Sequence, residues 1–348
     1  MPEPAPIQPG NAKTLPRAAA QLSKRHSSQW IEGRPCTSFQ PGPPGENRLG
    51  DAPMSRKIIP DVIVIGAMKA GTTSLYEYMA GHSQIGVSAE KELDFFVSSK
   101  NWTRGPGWYH SQFSPGYSVY AEASPNYTKR ELFPGVPERI AEMIPDCKFI
   151  FLVRDPVKRA ESHYRHAVLS GADVPAVADL PGSRTMQHLL ETSSYATQIE
   201  PYLALFPRQN FLFLHFEDLV REPRQLLSTV AGFLGIRDEW HEAGTIAANS
   251  SETLARLPLW VFAFRETRLA SLLKRLLSRP AFGLLKKLIS KGAKSRQAEP
   301  FTAGLKETMA ALLQEDQTRF QELLKEGGWT RSGGAKRPKT PQGEAGSQ

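Results

Sequence analysis

Lys69, Glu92, Arg154 and Ser162 are the residues of this 348-residue chain whose types and settings suit chemistry on an anionic substrate. Lys69 lies in Gly66-Ala-Met-Lys-Ala-Gly71-Thr72-Thr73-Ser74, a tight loop bounded by two glycines. Four β-branched residues, Val62 to Ile65, precede it and read as a buried strand of a parallel sheet. Thr72 opens a helix carrying Leu75, Tyr76 and Met79. Strand, loop and helix N-terminus together build an anion site, because backbone N–H groups converge there and the helix dipole favours negative charge. The spacing G-x-x-x-x-G is that of a phosphate loop, yet Thr72 follows where a nucleotide triphosphatase places lysine. The lysine stands inside the loop instead, which suits a ligand other than Mg-ATP. A bare strand-to-helix turn with no ligand is the bland alternative for a glycine loop alone.

A second pattern follows downstream. Phe149 to Val153 is another buried strand, and Arg154-Asp155-Pro156-Val-Lys-Arg159-Ala-Glu-Ser162-His-Tyr164 comes directly after it. With both halves in view, Gly66 to Ser74 resembles the 5′-phosphosulfate loop of sulfotransferases that use 3′-phosphoadenosine-5′-phosphosulfate (PAPS). Arg154-Asp-Pro-x-x-Arg-x-x-Ser162-x-Tyr164 resembles their 3′-phosphate motif. The resemblance covers roughly residues 58–330. It implies a P-loop-type, doubly wound parallel α/β sheet flanked by helices, with PAPS as co-substrate and no metal. The donor would be held by Lys69, Ala70, Gly71, Thr72, Thr73 and Ser74 at one end and by Arg154 and Ser162 at the other.

Sulfuryl transfer sets its own demands. Charge builds on the bridging oxygen as the sulfur–oxygen bond breaks, so preorganised donors there are the largest expected contribution. The N–H groups of residues 69–74, three hydroxyls and above all Lys69 can supply them, and Lys69 can stand where kinases use Mg²⁺ and a loop lysine. Arg154 can give the 3′-phosphate a forked pair of hydrogen bonds, with a hydroxyl from Ser162. An acceptor hydroxyl also needs a base. Glu92-Leu-Asp-Phe95-Phe96 resembles an element of heparan sulfate sulfotransferases whose glutamate is that base, which makes Glu92 the candidate. Phe95 and Phe96 are expected to turn inward and partly dry the carboxylate, raising its pKa. The bland alternative is a surface carboxylate paired with Lys91 or Arg130. Histidines 110, 163 and 166 read as helix-surface or half-buried residues.

The elements that must position these residues alternate strand and helix, as a doubly wound sheet requires. Ile85–Val87 and Tyr120–Tyr127 read as strands, the second running into a turn, and Phe211–His215 as a further short strand. Helices are expected around Trp108–Phe113, over Val136–Met143 and Ala160–Ser170, over Tyr195–Phe206 and Pro223–Leu234, and over Leu305–Leu324. Residues 171–187 lack periodicity and read as loop.

Composition frames the rest. Hydrophobic content of 40% and charged content of 22% are those of an ordinary globular protein. Cys36 and Cys147 are too few for a disulfide framework. No run approaches a membrane span and no signal-peptide core is evident, so a cytoplasmic protein is expected. Residues 1–55 read as a disordered leader, 56–330 as the folded domain and 331–348 as a disordered tail. The net charge of +8 favours acidic partners. Residues 256–294, where ten Lys or Arg face one acid, Glu266, carry more than the whole of it, and the rest of the chain is close to −1. That segment suits a lid with a solvated face, a cradle for an anionic acceptor, or contact with an anionic or membrane surface. No nucleic-acid module accompanies the charge, so no such partner is expected.

Gly107-Trp-Tyr-His110-Ser-Gln112 and Val136-Pro-Glu-Arg139 also resemble heparan-type enzymes. The chain departs from them at Ala123, where a lysine often follows the glutamate, and neither their paired cysteines nor their membrane anchor is expected here. Soluble bacterial-type members are the nearer likeness. The expected reaction is therefore PAPS-dependent sulfation of a hydroxyl, or amine, on a carbohydrate-like acceptor. A lipid or other small metabolite is the alternative acceptor. A P-loop kinase-like phosphotransferase, with Asp155 as its magnesium ligand, and a catalytically silent anion-binding module are the rival classes.

Overall fold

The computed structural model describes residues 58–240 and 297–329. The expected leader, the basic segment 256–294 and the tail 331–348 lie outside the described residues. In chain order the elements are β1 (Val62–Gly66), α1 (Thr72–Ala80), β2 (Ile85–Val87), α2 (Gly105–His110), β3 (Val119–Ala123), α3 (Val136–Met143) and β4 (Lys148–Val153). They continue with α4 (Pro156–Leu169), α5 (Arg184–Glu191), α6 (Tyr195–Leu205), β5 (Phe211–His215), α7 (Phe216–Arg221), α8 (Pro223–Leu234) and α9 (Ala303–Glu326).

The strands form one parallel sheet in the order β2-β3-β1-β4-β5. This is the doubly wound α/β architecture expected from the sequence. The β-branched run of β1 is central because both of its faces are covered: Val62, Ile63, Val64 and Ile65 are fully buried. After β1 the chain winds toward β2 and β3, and after β4 toward β5. A crevice therefore opens at the carboxyl ends of β1 and β4, where open α/β sheets gather ligands. Both phosphate motifs follow those two strands.

The far end of the chain closes the core. Phe320 of α9 packs edge-on against Phe151, Tyr195 and Phe213. Trp329 covers Phe213 and donates from Nε1 to the Phe211 carbonyl at 3.2 Å.

The helix expected over Ala160–Ser170 starts at Pro156, because Asp155 caps it and Pro156 preforms its first turn. Two other helices also differ from expectation. The short helix expected around Trp108–Phe113 starts earlier, at Gly105, because Pro106 preforms its first turn. Part of the expected loop 171–187 is helical, since Ser183 caps α5 by accepting from the Met186 N–H at 3.0 Å. Met186 and Leu189 are its buried face.

Candidate active site

The loop after β1 presents an array of free backbone donors. Among the described residues, the N–H groups of Lys69, Gly71, Thr72, Thr73 and Ser74 have no hydrogen-bond acceptor. Ala70 differs from the others: its N–H donates to the Ala67 carbonyl at 3.1 Å and its side chain is buried. That bond closes the turn. Gly71 has φ +94, and a Cβ there would meet Phe216 at 2.9 Å, so glycine is required on both counts.

Three non-glycine residues among those described have positive φ: Lys69 (69°), Glu92 (64°) and Asp94 (48°). That conformation costs about 1–2 kcal/mol for a residue with a Cβ. The strain falls on the two candidate catalytic residues and a neighbour of one of them. Strain clusters where geometry has to be fixed for function.

Lys69 is half-buried. Burial, with Arg165 adding its like charge and Glu92 opposing, lowers its pKa to about 8. It has no ion-pair partner among the described residues, so its charge is held ready for an incoming anion. Arg154 follows β4 and lies across the crevice, 4.6 Å above the Phe216 ring, with Nη1 reaching the Lys69 carbonyl at 3.5 Å. Its Nε is buried and has no partner among the described residues. A buried guanidinium N–H without an acceptor is unusual, and an anion would satisfy it. Ser162, two turns along α4, shares with Arg154 a cleft of about 640 Å³. Arg165, Lys158 and Lys306 line the same cleft. Asp155 is committed elsewhere: it caps α4, accepting from the Lys158 N–H at 2.8 Å.

Glu92 reaches the same edge of the sheet through β3. Its N–H donates to the Ala123 carbonyl at 2.9 Å, and the next turn is pinned through Glu122. The Ser124 and Tyr127 hydroxyls donate to Glu122 Oε1 at 2.6 and 2.7 Å, and the Tyr109 hydroxyl donates to Oε2. Ser124 Oγ accepts from the Asp94 N–H at 3.1 Å and Tyr127 Oη from the Phe96 N–H at 3.3 Å. Burial lifts the Glu122 carboxyl to about 7, against the pull of those hydroxyls toward lower values. Each hydroxyl would cost about 1–3 kcal/mol if left buried without its acceptor. The network is thus a rigid mount for the segment Glu92–Phe96.

Phe95 and Phe96 turn inward as expected, both fully buried. The expected effect on Glu92 is reversed. Its side chain is 49% exposed and forms an ion pair with Lys91. Partial burial raises the carboxyl, but Lys91, with Lys129 and Lys100, outweighs it and leaves the pKa below the ordinary value. The pairing with Lys91 is the bland alternative of the sequence reading, found in a residue that also faces Lys69 electrostatically.

Sequence reasoning missed Arg165, Lys129 and the Glu122 network. Arg165 was detectable, since it lies three places beyond Ser162 and hence on the same helix face. Lys129, held at about 8 by burial and the charge of Lys100, and the hydroxyls around Glu122 carry no local signal.

Comparison with known proteins agrees with this geometry. The family profile described as "Sulfotransferase domain" matches residues 59–252, more than half of the chain. The chain belongs to the sulfotransferase family. Human heparan sulfate glucosamine 3-O-sulfotransferase 3A1 is 30% identical over 242 residues, covering 64% of this chain and 58% of that protein. Mouse heparan sulfate glucosamine 3-O-sulfotransferase 3B1 is 33% identical over 192 residues, covering 52% and 47%. The chain spans about half the length of the curated relatives it matches. Among solved structures, a sulfotransferase from Alicyclobacillus acidocaldarius superposes with a TM-score of 0.54 at 21% identity, over 77% of this chain and 96% of that one. At that identity the likeness is one of fold.

Proposed function

We propose that this sulfotransferase-family chain moves the sulfuryl group of PAPS to a hydroxyl of a carbohydrate-like acceptor. The observation that carries the reading is a pair of clamps, unsatisfied among the described residues, that approach each other where Arg154 Nη1 reaches the Lys69 carbonyl at 3.5 Å. Five free N–H groups and Lys69 lie on one side, and the orphaned Nε of Arg154 with Ser162 on the other. A donor with phosphates at both its 5′ and 3′ positions has the charges to satisfy both. The cleft beside Arg154 is within the usual size range for a small-molecule site.

When bound, PAPS supplies an activated sulfuryl group whose leaving group is a phosphate. Lys69 and the loop N–H groups neutralise charge at the leaving oxygen. Arg154 and Ser162 hold the 3′-phosphate and set the register of the nucleotide. Glu92, ionised at neutral pH, takes the proton of the acceptor hydroxyl. The names of the relatives point to a glucosamine-containing acceptor, and the cations around Glu92 suit a saccharide that carries acidic groups. A kinase-like reading is disfavoured because Asp155, its required magnesium ligand, serves as a helix cap.

Calorimetric titration tests the donor clamp. Adenosine 3′,5′-bisphosphate is expected to bind without metal at least about tenfold more tightly than AMP, the scale of one charge-assisted contact. Arg154→Ala should erase most of that preference. Equal affinity for the two nucleotides in the wild type would remove the 3′-phosphate clamp from the account.

A further inference from the structure

Arg159 is the largest fully buried side chain among the described residues, and the reaction just described gives it no role. All five of its N–H donors are used. Nε donates to Ser193 Oγ at 2.8 Å, and Nη2 donates to the Leu189 carbonyl at 3.0 Å and to Thr192 Oγ1 at 2.9 Å. Nη1 meets His163 Nδ1 at 3.3 Å and the Met68 carbonyl at 3.4 Å. Every acceptor is neutral. Burial, with the like charge of Arg154, lowers its pKa to about 10, and burial holds the His163 imidazole well below its ordinary value, so that it can accept.

A buried guanidinium without a carboxylate is costly to keep, and an apolar side chain of similar volume is often as stable or more so. Packing therefore does not account for the charge. The Met68 contact does suggest a use. The carbonyl of Met68 and the N–H of Lys69 belong to one planar trans peptide and point in opposite directions. A guanidinium that holds the carbonyl inward turns the Lys69 N–H outward, and that N–H is one of the free donors of the loop. At 3.4 Å the contact is long for a hydrogen bond, so its effect depends on how firmly the guanidinium is held. Four further contacts, to α4, to α5 and to the Thr192–Ser193 turn that follows it, hold it.

We propose that Arg159 is a positioning residue that sets the Met68–Lys69 peptide, aiming the Lys69 N–H at the 5′-phosphate of the donor. It acts through the loop and does not touch the ligand. The inference rests on the PAPS reading above and adds a residue to it. Arg159 also carries an uncompensated charge beside the loop, which an anion bound there offsets in a poorly solvated setting.

The test compares adenosine 3′,5′-bisphosphate with adenosine 3′-monophosphate, whose affinity ratio reports what the 5′-phosphate gains from the loop. In Arg159→Met this ratio is expected to fall by about tenfold, the scale of a charge-assisted donor, with 3′-monophosphate affinity unchanged. A merely structural arginine would lower the melting temperature and leave the ratio alone. A ratio within twofold of wild type in the folded variant overturns the proposal. Should Arg159→Met fail to fold, Arg159→Lys decides. Lysine keeps the charge but cannot span the Met68 carbonyl and the α5 acceptors together. A fall in its ratio of severalfold supports the proposal, and an unchanged ratio overturns it. A wild-type protein that gains nothing from either phosphate contradicts the PAPS reading itself, a separate outcome.

Discussion

Lys69→Ala is expected to lower turnover by about a thousandfold, the upper scale for losing one preorganised donor at a developing oxyanion. Affinity for adenosine 3′,5′-bisphosphate should weaken only severalfold. The reasoning is differential: five backbone N–H groups remain to hold a ground-state phosphate, but none carries the full charge of an ammonium. An interaction that strengthens as the leaving group departs appears in kcat more than in binding. Steady-state kinetics beside calorimetry on the variant separates the two. The pH dependence has a definite sign. With Lys69 at about 8 in the free protein, kcat/KM should fall as pH rises through that value and the ammonium is lost. A bound anion favours the charged form, so the same limb in kcat should lie higher. Retention of near-normal turnover by Lys69→Ala removes the residue from the mechanism.

Glu92→Gln is expected to reduce turnover by at least about a hundredfold, the usual scale for a general base, with nucleotide affinity nearly unchanged. Glutamine preserves size and hydrogen bonding but cannot take the proton. Because the cations around Glu92 hold its pKa below the ordinary value, the acid limb of kcat/KM should fall below the ordinary carboxylate range. A base dried by Phe95 and Phe96 alone would give the opposite sign. Lys91→Ala should move that limb upward, since the ion pair is the main cause of the depression. Activity of Glu92→Gln within a few-fold of wild type, on a competent acceptor, would transfer the role to another group.

The central strands and both phosphate motifs were legible because each rests on local chemistry. A β-branched run reads as a doubly covered strand, and the glycines of Gly66 to Gly71 mark a tight loop ahead of a helix. Arg154 and Ser162 line one cleft, because Ser162 lies two turns along the helix that starts just after Arg154. What failed to show depended on contacts between distant segments. Glu122 reads as one more polar residue in a strand until Tyr109, Ser124 and Tyr127 close over it. Arg159 carries no local sign of burial, which comes from α5 and the Thr192–Ser193 turn that cover it. The sign of the Glu92 shift was missed for a different reason. The irregular backbone at φ 64 lets adjacent side chains, Lys91 and Glu92, meet, which neither helix nor strand periodicity would allow. The loop reads as a uniform run of backbone donors, and only the fold shows that the Ala70 amide closes the turn.

The most direct test is transfer itself. The protein is incubated with PAPS carrying a labelled sulfuryl group and with glucosamine-containing oligosaccharides, acidic and neutral, without added metal. The account predicts label in the saccharide, formed one for one with adenosine 3′,5′-bisphosphate, and none in a parallel reaction from γ-labelled ATP with Mg²⁺. Phosphoryl transfer from ATP, or tight binding of the bisphosphate with no labelled product from any hydroxylated acceptor, would contradict it.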